Sequence, residues 1–157
     1  MEKEQTEKRY ESAFRRLSEE GYSGRVIENF LDPENYGISD SRNCDGYSGW
    51  NRCPFGDSMA ICLEISQDTI RRASFVSDIC IGSIAAANEV TKKVKDMTVA
   101  DATGISPEEI IEDLGGLPES FVHCAALATE TLRLAILDFH KSGLKNNPWK
   151  KNYRLKG

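Results

Sequence analysis

Residues 59–97 read MAICLEISQDTIRRASFVSDICIGSIAAANEVTKKVKDM, and the change of period inside this stretch decides the fold. Met59, Ile61, Leu63 and Ile65 alternate with Ala60, Cys62 and Glu64. That two-residue period is the mark of a strand with two different faces. Gln67-Asp68 reads as a turn, and residues 70–79 as the antiparallel partner strand. The period then lengthens. Ile84, Ala87, Val90, Val94 and Met97 fall on one helical face, which predicts an amphipathic helix of about four turns entered through Gly82-Ser83.

Outward from this hairpin and helix, the rest of the chain reads mostly helical. Tyr10, Phe14 and Leu17 predict a helix over residues 2–20, stopped at Gly21. A short helix over 25–31 closes before Pro33, and residues 32–57, rich in Asp, Asn, Gly, Ser and Pro, read as loop or irregular edge strand. Residues 98–102 form a short helical turn. Ser106-Pro107-Glu108-Glu109 is a helix start, with Ser at the N-cap, Pro at N1 and Glu at N3. Gly115-Gly116 ends that helix. After Pro118 a last long helix runs over 121–141, with Leu127, Leu132, Ile136 and Phe139 inward. Helices, then strands, then helices predict an α+β fold: a small antiparallel sheet of about three strands covered on one face by helices.

The chain has 157 residues, the size of one domain, with 39% hydrophobic and 29% charged residues. The longest near-continuous apolar stretch covers residues 79–87, far short of the ~20 residues of a spanning helix. The first twenty residues carry eleven charges, so no secretory segment is read there. These features predict a cytoplasmic protein without a membrane partner. The net charge is −5, unevenly placed: residues 141–157 carry six basic residues and no acid, leaving −11 on the remainder. Residues 96–132 hold eight acids and no Lys or Arg. So acidic a body argues against nucleic acid as a ligand, because phosphate contacts need a basic face. The basic tail reads as a solvated terminus.

Five cysteines stand at 44, 53, 62, 80 and 124. The odd count argues against a disulfide framework, and no pair is spaced C-x-x-C. Cys62 reads as a small core hydrophobe. Three segments gather ligands: Cys53-Pro54-Phe55-Gly56-Asp57 before the first clear strand, Cys80 between strand and helix, and His123-Cys124 at the start of the last helix. All three lie at ends of elements, where side chains can converge. A helix N-terminus lowers a thiol's pKa, a condition that both Cys80 and Cys124 meet in this reading. Thiolates with an imidazole suit zinc or an iron–sulfur cluster. Taken singly, each residue has an ordinary reading as a turn Asp, a buried Cys or a capping His; their joint occurrence favours a site. His140, late in the last helix, reads as a surface residue. No G-x-S-x-G, P-loop or H-E-x-x-H pattern is present.

The sequence resembles the iron–sulfur cluster scaffold family, the IscU proteins and the N-terminal domain of NifU. Val26-Ile27-Glu28-Asn29-Phe30 with Asp32-Pro33-Glu34-Asn35-Tyr36-Gly37 looks like the family's opening motif. Phe55-Gly56-Asp57-Ser58-Met59 sits where the family has Cys-Gly-Asp and a strand. Cys80-Ile81-Gly82-Ser83-Ile84-Ala85 matches its second Cys and the small-residue helix, and Leu117-Pro118 followed by His123-Cys124-Ala125 its third ligand segment. The resemblance spans residues 25–141, leaving 1–24 as an N-terminal helical extension and 142–157 as a basic tail. It implies a protein that receives sulfur from a cysteine desulfurase, binds iron, assembles a labile 2Fe–2S cluster and passes it to apo-proteins. It implies Cys80 and Cys124 as thiolate ligands, His123 as an alternate ligand, and Asp57 as the carboxylate that keeps the cluster exchangeable. A homodimer is left open.

Three departures stand out. The family's first ligand Cys is Phe55 here, with Cys53 two residues earlier. Either the loop re-registers so that Cys53 reaches the site, or the site has two Cys with Asp57 and His123; Cys44 is a distant third candidate. The chaperone-recognition stretch reads Leu117-Pro118-Glu119-Ser120-Phe121 and lacks its basic residue, so the resemblance does not extend to hand-off through an Hsp70-type chaperone. The two extensions have no counterpart; the first helix reads as packing on the body or mediating a dimer or desulfurase contact. Two alternatives compete with the scaffold. One is a zinc-dependent sulfurtransferase of the SufU kind, against which stand the missing insertion between Cys80 and Cys124 and the missing Cys at position 55. The other is a degenerate member that binds zinc structurally, through Asp57, Cys80, His123 and Cys124, or binds nothing, and acts as an adaptor.

Overall fold

The computed structural model describes residues 1–145. The elements are α1 (Glu2–Glu19), α2 (Gly24–Leu31), β1 (Gly46–Tyr47), β2 (Asn51–Arg52), β3 (Ser58–Ser66), β4 (Thr69–Ser77), α3 (Ile81–Val94), α4 (Val99–Thr103), α5 (Pro107–Asp113) and α6 (Val122–Lys145). The α+β expectation holds. β3 is the centre of an antiparallel sheet, with β4 on one edge and the two short strands β1 and β2 end to end along the other. The sheet is thus three strands wide, though built from four. The segment expected to be loop or edge strand supplies β1 and β2. The basic residues beyond 145 fall outside the described residues.

The hairpin turn is two residues long, Gln67 and Asp68, both at positive φ (52° and 58°). That conformation matches the twist of the strands it joins. The face carrying Met59, Ile61 and Leu63 pairs in register with Ser77, Phe75 and Ala73 and is buried by α3 and α6. The free edge of β4 is covered. Phe75 N–H donates to the Asn35 carbonyl at 3.0 Å, and Gly37 N–H to the Phe75 carbonyl at 2.7 Å. Further along, Ile70 N–H donates to the Met97 carbonyl at 2.8 Å. Covered edges remove the template for aggregation that an open strand presents.

α3 departs from the amphipathic expectation. It is buried nearly all round, from Gly82 to Thr91 and again at Val94, because α2, α5, α6 and β4 surround it. Ala85, Ala86 and Ala87 let these neighbours approach closely. Its polar residues are then satisfied internally. Arg25 of α2 reaches the Glu89 carboxylate at 3.0 and 3.2 Å, Asn29 donates to Glu89 at 3.0 Å, and Asn88 donates to Asn29 at 2.7 Å. Buried polar groups persist only when paired in this way. Met97 is not part of the helix, which ends at Val94: Lys95 already leaves the helical conformation (ψ 129°) and Asp96 then turns to positive φ (69°).

α5 starts as read from its sequence: the Ser106 hydroxyl accepts from Glu109 N–H at 3.2 Å. α6 is the core helix. The stretch Glu119–Ser142 is long and apolar enough to cross a membrane by length and composition, but half of its most apolar window is buried inside the fold. Gly46 shows how closely β1 crosses α6, since a Cβ there would run into the Ala135 carbonyl oxygen. α1 buries no residue fully. Its Phe14 and Leu17 are half-buried, and the Phe14 ring lies against Gly24 of α2, so the helix leans on the body.

The cysteine reading needs one correction. Cys44 and Cys62 form a disulfide. β1 pairs Tyr47 with Cys62, which brings the preceding loop and Cys44 over the face of β3 opposite the core. The odd count therefore reflects one bonded pair and three free thiols. Cys44 is removed from the ligand candidates, and Cys62 is more than a small core residue.

Candidate metal centre

The three free cysteines, Cys53, Cys80 and Cys124, gather with Asp57 and His123 at the end of the sheet where β3 begins and β4 runs into α3. Each is held there by a local feature. Cys53 follows β2, and its N–H donates to the Asp57 carbonyl at 2.9 Å while its carbonyl accepts from Gly56 N–H at 3.0 Å. These two bonds fold residues 53–57 back on themselves. Cys80 is the N-cap residue of α3 in extended backbone, and its carbonyl accepts from Ile84 N–H at 2.9 Å. His123 and Cys124 occupy the first turn of α6. Gly82 permits the approach of the two helix starts, because a Cβ there would lie 2.9 Å from Cys124 Sγ and 2.8 Å from the Phe121 ring.

Donor atoms of Cys53, Asp57 and His123 all lie within 4.8 Å of one another, and so do those of Asp57, Cys80 and Cys124. Asp57 belongs to both groups. His123 Nε2 meets Asp57 Oδ2 at 2.5 Å, Cys124 Sγ lies 3.6 Å from His123 Nε2, and Asp57 Oδ2 accepts from Cys124 Sγ at 3.8 Å. Four side chains from three distant segments thus meet around the Asp57 carboxylate. Of the two loop registers left open by the sequence, the structure shows Cys53 beside Asp57 and His123, in a different group from Cys80 and Cys124. Phe55, at the position of the expected cysteine, supplies no donor: it is 74% exposed, and its ring lies over the His123 imidazole at 4.5 Å.

Burial works against the Asp57 carboxylate, but hydrogen bonds to His123 and Asp78, the His123 charge and the Cys124 thiol outweigh it and hold the carboxyl below its ordinary range. Asp78 moves the other way, raised by burial and by its neighbour Asp57, although Ser58 N–H donates to it at 3.2 Å. Cys124 corrects an expectation. Its place in a first helical turn suggested a lowered pKa. Instead burial in a fully covered position, with Cys80 and Asp57 beside it, pushes the thiol well up despite the hydrogen bond with Ser83. A bound cation would have to displace that proton, so binding and deprotonation are coupled here.

Asp78 and Ser83 were not picked out from the sequence. Asp78 directly follows β4, two residues before Cys80, and Ser83 Oγ lies 3.9 Å from Cys124 Sγ. Both orient donors rather than supply them. A sign was present, since Asp78 stands two residues before Cys80 and Ser83 three after it, but their partners become visible only once β3 and α6 converge. His140 is exposed on α6, as expected. As a donor set, three thiols, an imidazole and a carboxylate fit zinc or an iron–sulfur cluster and are too soft for magnesium or calcium.

A family model described as NifU-like N terminal domain matches residues 21–146, so α1 precedes the matched part. The iron–sulfur cluster assembly scaffold protein IscU of Aquifex aeolicus is 33% identical over 120 residues, covering 75% of each chain. The protein of the same name from Azotobacter vinelandii is 32% identical over 126 residues, 78% of this chain and 98% of its own. A solved structure from Fervidobacterium islandicum AW-1, described as a candidate iron–sulfur cluster assembly scaffold for the SUF system, superposes with a TM-score of 0.55. It covers 73% of this chain and 96% of its own at 18% identity, and so speaks for the fold alone. With a family match over most of its length and scaffold relatives above 30% identity, the chain belongs to the NifU-like N-terminal domain family.

Proposed function

We propose that this protein is an iron–sulfur cluster assembly scaffold, a carrier rather than an enzyme. The observation that supports it is the convergence of Cys53, Asp57, Cys80, His123 and Cys124 into two donor groups sharing Asp57. Scaffold-named relatives at 32–33% identity support the same reading. In this reading Cys80 and Cys124 hold the cargo through thiolates, and Cys53 supplies the third sulfur in place of the residue at Phe55. His123 serves as an alternate ligand. Asp57 contributes a hard oxygen to a soft-ligand cargo, which weakens retention and suits transfer. The cargo is a labile 2Fe–2S cluster, built from iron(II) and from persulfide sulfur delivered by a cysteine desulfurase, with a thiol or ferredoxin-type reductant bringing that sulfur to sulfide, and the acceptors are apo iron–sulfur proteins.

A second reading is favoured by one observation: Asp57, Cys80 and Cys124 with the neighbouring His123 amount to four donors, the number a tetrahedral zinc site needs. That donor set suits a zinc-binding adaptor of the family; the SufU-like sulfurtransferase, the other zinc reading, has the missing Cys at position 55 against it. Anaerobic incubation with iron, cysteine and a desulfurase, followed by mixing with an apo-ferredoxin, separates the two. The scaffold gains a brown chromophore that then appears in the ferredoxin. Tightly held zinc with no chromophore and no transfer would support the second reading instead.

A further inference from the structure

Phe55 is a large apolar side chain left 74% exposed at a loop tip, and yet it does not hang free. Its ring lies over the His123 imidazole with centroids 4.5 Å apart and planes 32° from parallel. That is within the range of offset aromatic pairs. The loop beneath it is held in place. Cys53 carbonyl accepts from Gly56 N–H at 3.0 Å, Cys53 N–H donates to the Asp57 carbonyl at 2.9 Å, and Pro54 lies between. Gly56, at φ 96°, adopts a conformation that favours glycine. The opposite constraint on the imidazole comes from its edge, where Nε2 meets Asp57 Oδ2 at 2.5 Å and Cys124 Sγ at 3.6 Å.

We infer that Phe55 is a positioning residue that caps His123, fixing the imidazole toward Asp57 and Cys124 and shielding its outer face from water and competing ligands. The consequence for metal exchange rests on the reading of this site as a metal centre; the placement of the imidazole does not. Residues that orient a metal-binding histidine typically change affinity by about 10–100-fold when removed. The cap therefore slows release of whatever ion His123 helps to hold. Because Phe55 is mostly exposed, its removal leaves the core untouched.

The test compares the wild-type chain with F55A and F55Y. In the metal-free protein, NMR of the His123 ring protons reads the stack directly, with H140Q used to assign the second histidine. The wild type and F55Y show an upfield ring-current shift that F55A lacks. With zinc or cobalt bound, a chelator removes the metal about tenfold faster from F55A, and F55Y restores the wild-type rate. Identical His123 shifts in all three proteins, equal release rates, or a fast-releasing F55Y would each overturn the inference. If the wild type holds neither metal, the metal-centre reading fails by itself, and the ring shifts alone then decide whether Phe55 caps His123.

Discussion

Cys44 and Cys62 lie on the sheet face opposite the core; Cys53, Cys80 and Cys124 lie at the end of the same sheet, and the two groups behave differently. Cys62 is in mid-strand, where the backbone is paired on both edges and side chains can meet only what is laid over them. The β1 register lays Cys44 there, and the two thiols join. The other three cysteines stand where elements stop or start. Their backbones turn, their neighbours include Gly56 and Gly82, and a carboxylate and an imidazole lie between them. The same residue type thus makes a staple in one region and an open donor set in the other. What separates them is position along the element rather than distance along the chain.

The sharpest way to break this comparison is to remove donors from the open group. C80A and C124A should abolish loading with iron or zinc, measured by metal analysis, at a stability cost of about 1 kcal/mol in thermal unfolding. Loading at wild-type level would remove those residues from the donor set. Cutting the staple should do the reverse. The Cys44–Cys62 bond closes a separation of 18 residues, so C44S with C62A should cost about 3 kcal/mol, a fall of roughly 6–12 °C in Tm, with metal loading unchanged. A smaller effect joins both properties. G82A introduces a Cβ 2.9 Å from Cys124 Sγ and should cost roughly 1–3 kcal/mol while lowering metal loading. Smallest in stability is C53S. This half-buried loop residue should leave Tm unchanged but reduce sulfur-to-metal charge-transfer absorption in the cobalt form. Full wild-type absorption in C53S would leave the site with two thiolates.

Local rules made much of the fold legible. The alternation from Met59 to Ile65, the Gln67-Asp68 turn, the Ser106 cap and the Gly115-Gly116 stop each act within a few residues, and each appears where it was read. What could not be read depends on long-range register. The disulfide requires a two-residue strand, β1, to align on β3, and so short a strand carries almost no periodic signal. The burial of α3 on every side depends on how many neighbours it gathers, which its own apolar stripe does not state. The helix end before Met97 depends on a turn at Lys95 and Asp96, where Lys95 leaves the helical conformation and Asp96 adopts positive φ. The five site residues were singled out because each lies at an element end. That Cys53 rather than the residue at 55 meets Asp57 and His123 follows from the backbone bonds within residues 53–57. Asp78 and Ser83 stayed hidden because their roles exist only through Ser58, Asp57 and Cys124.

The central claim is that the open donor group, and not the staple, holds a transferable iron–sulfur cargo. The most direct measurement is anaerobic reconstitution of the wild type, C80A and the C44S/C62A pair variant side by side, with bound iron and sulfide counted and visible absorption recorded. The account predicts equal chromophore, iron and sulfide in the wild type and the pair variant, and none in C80A. A chromophore that survives in C80A, or one that is lost with the staple, would contradict it.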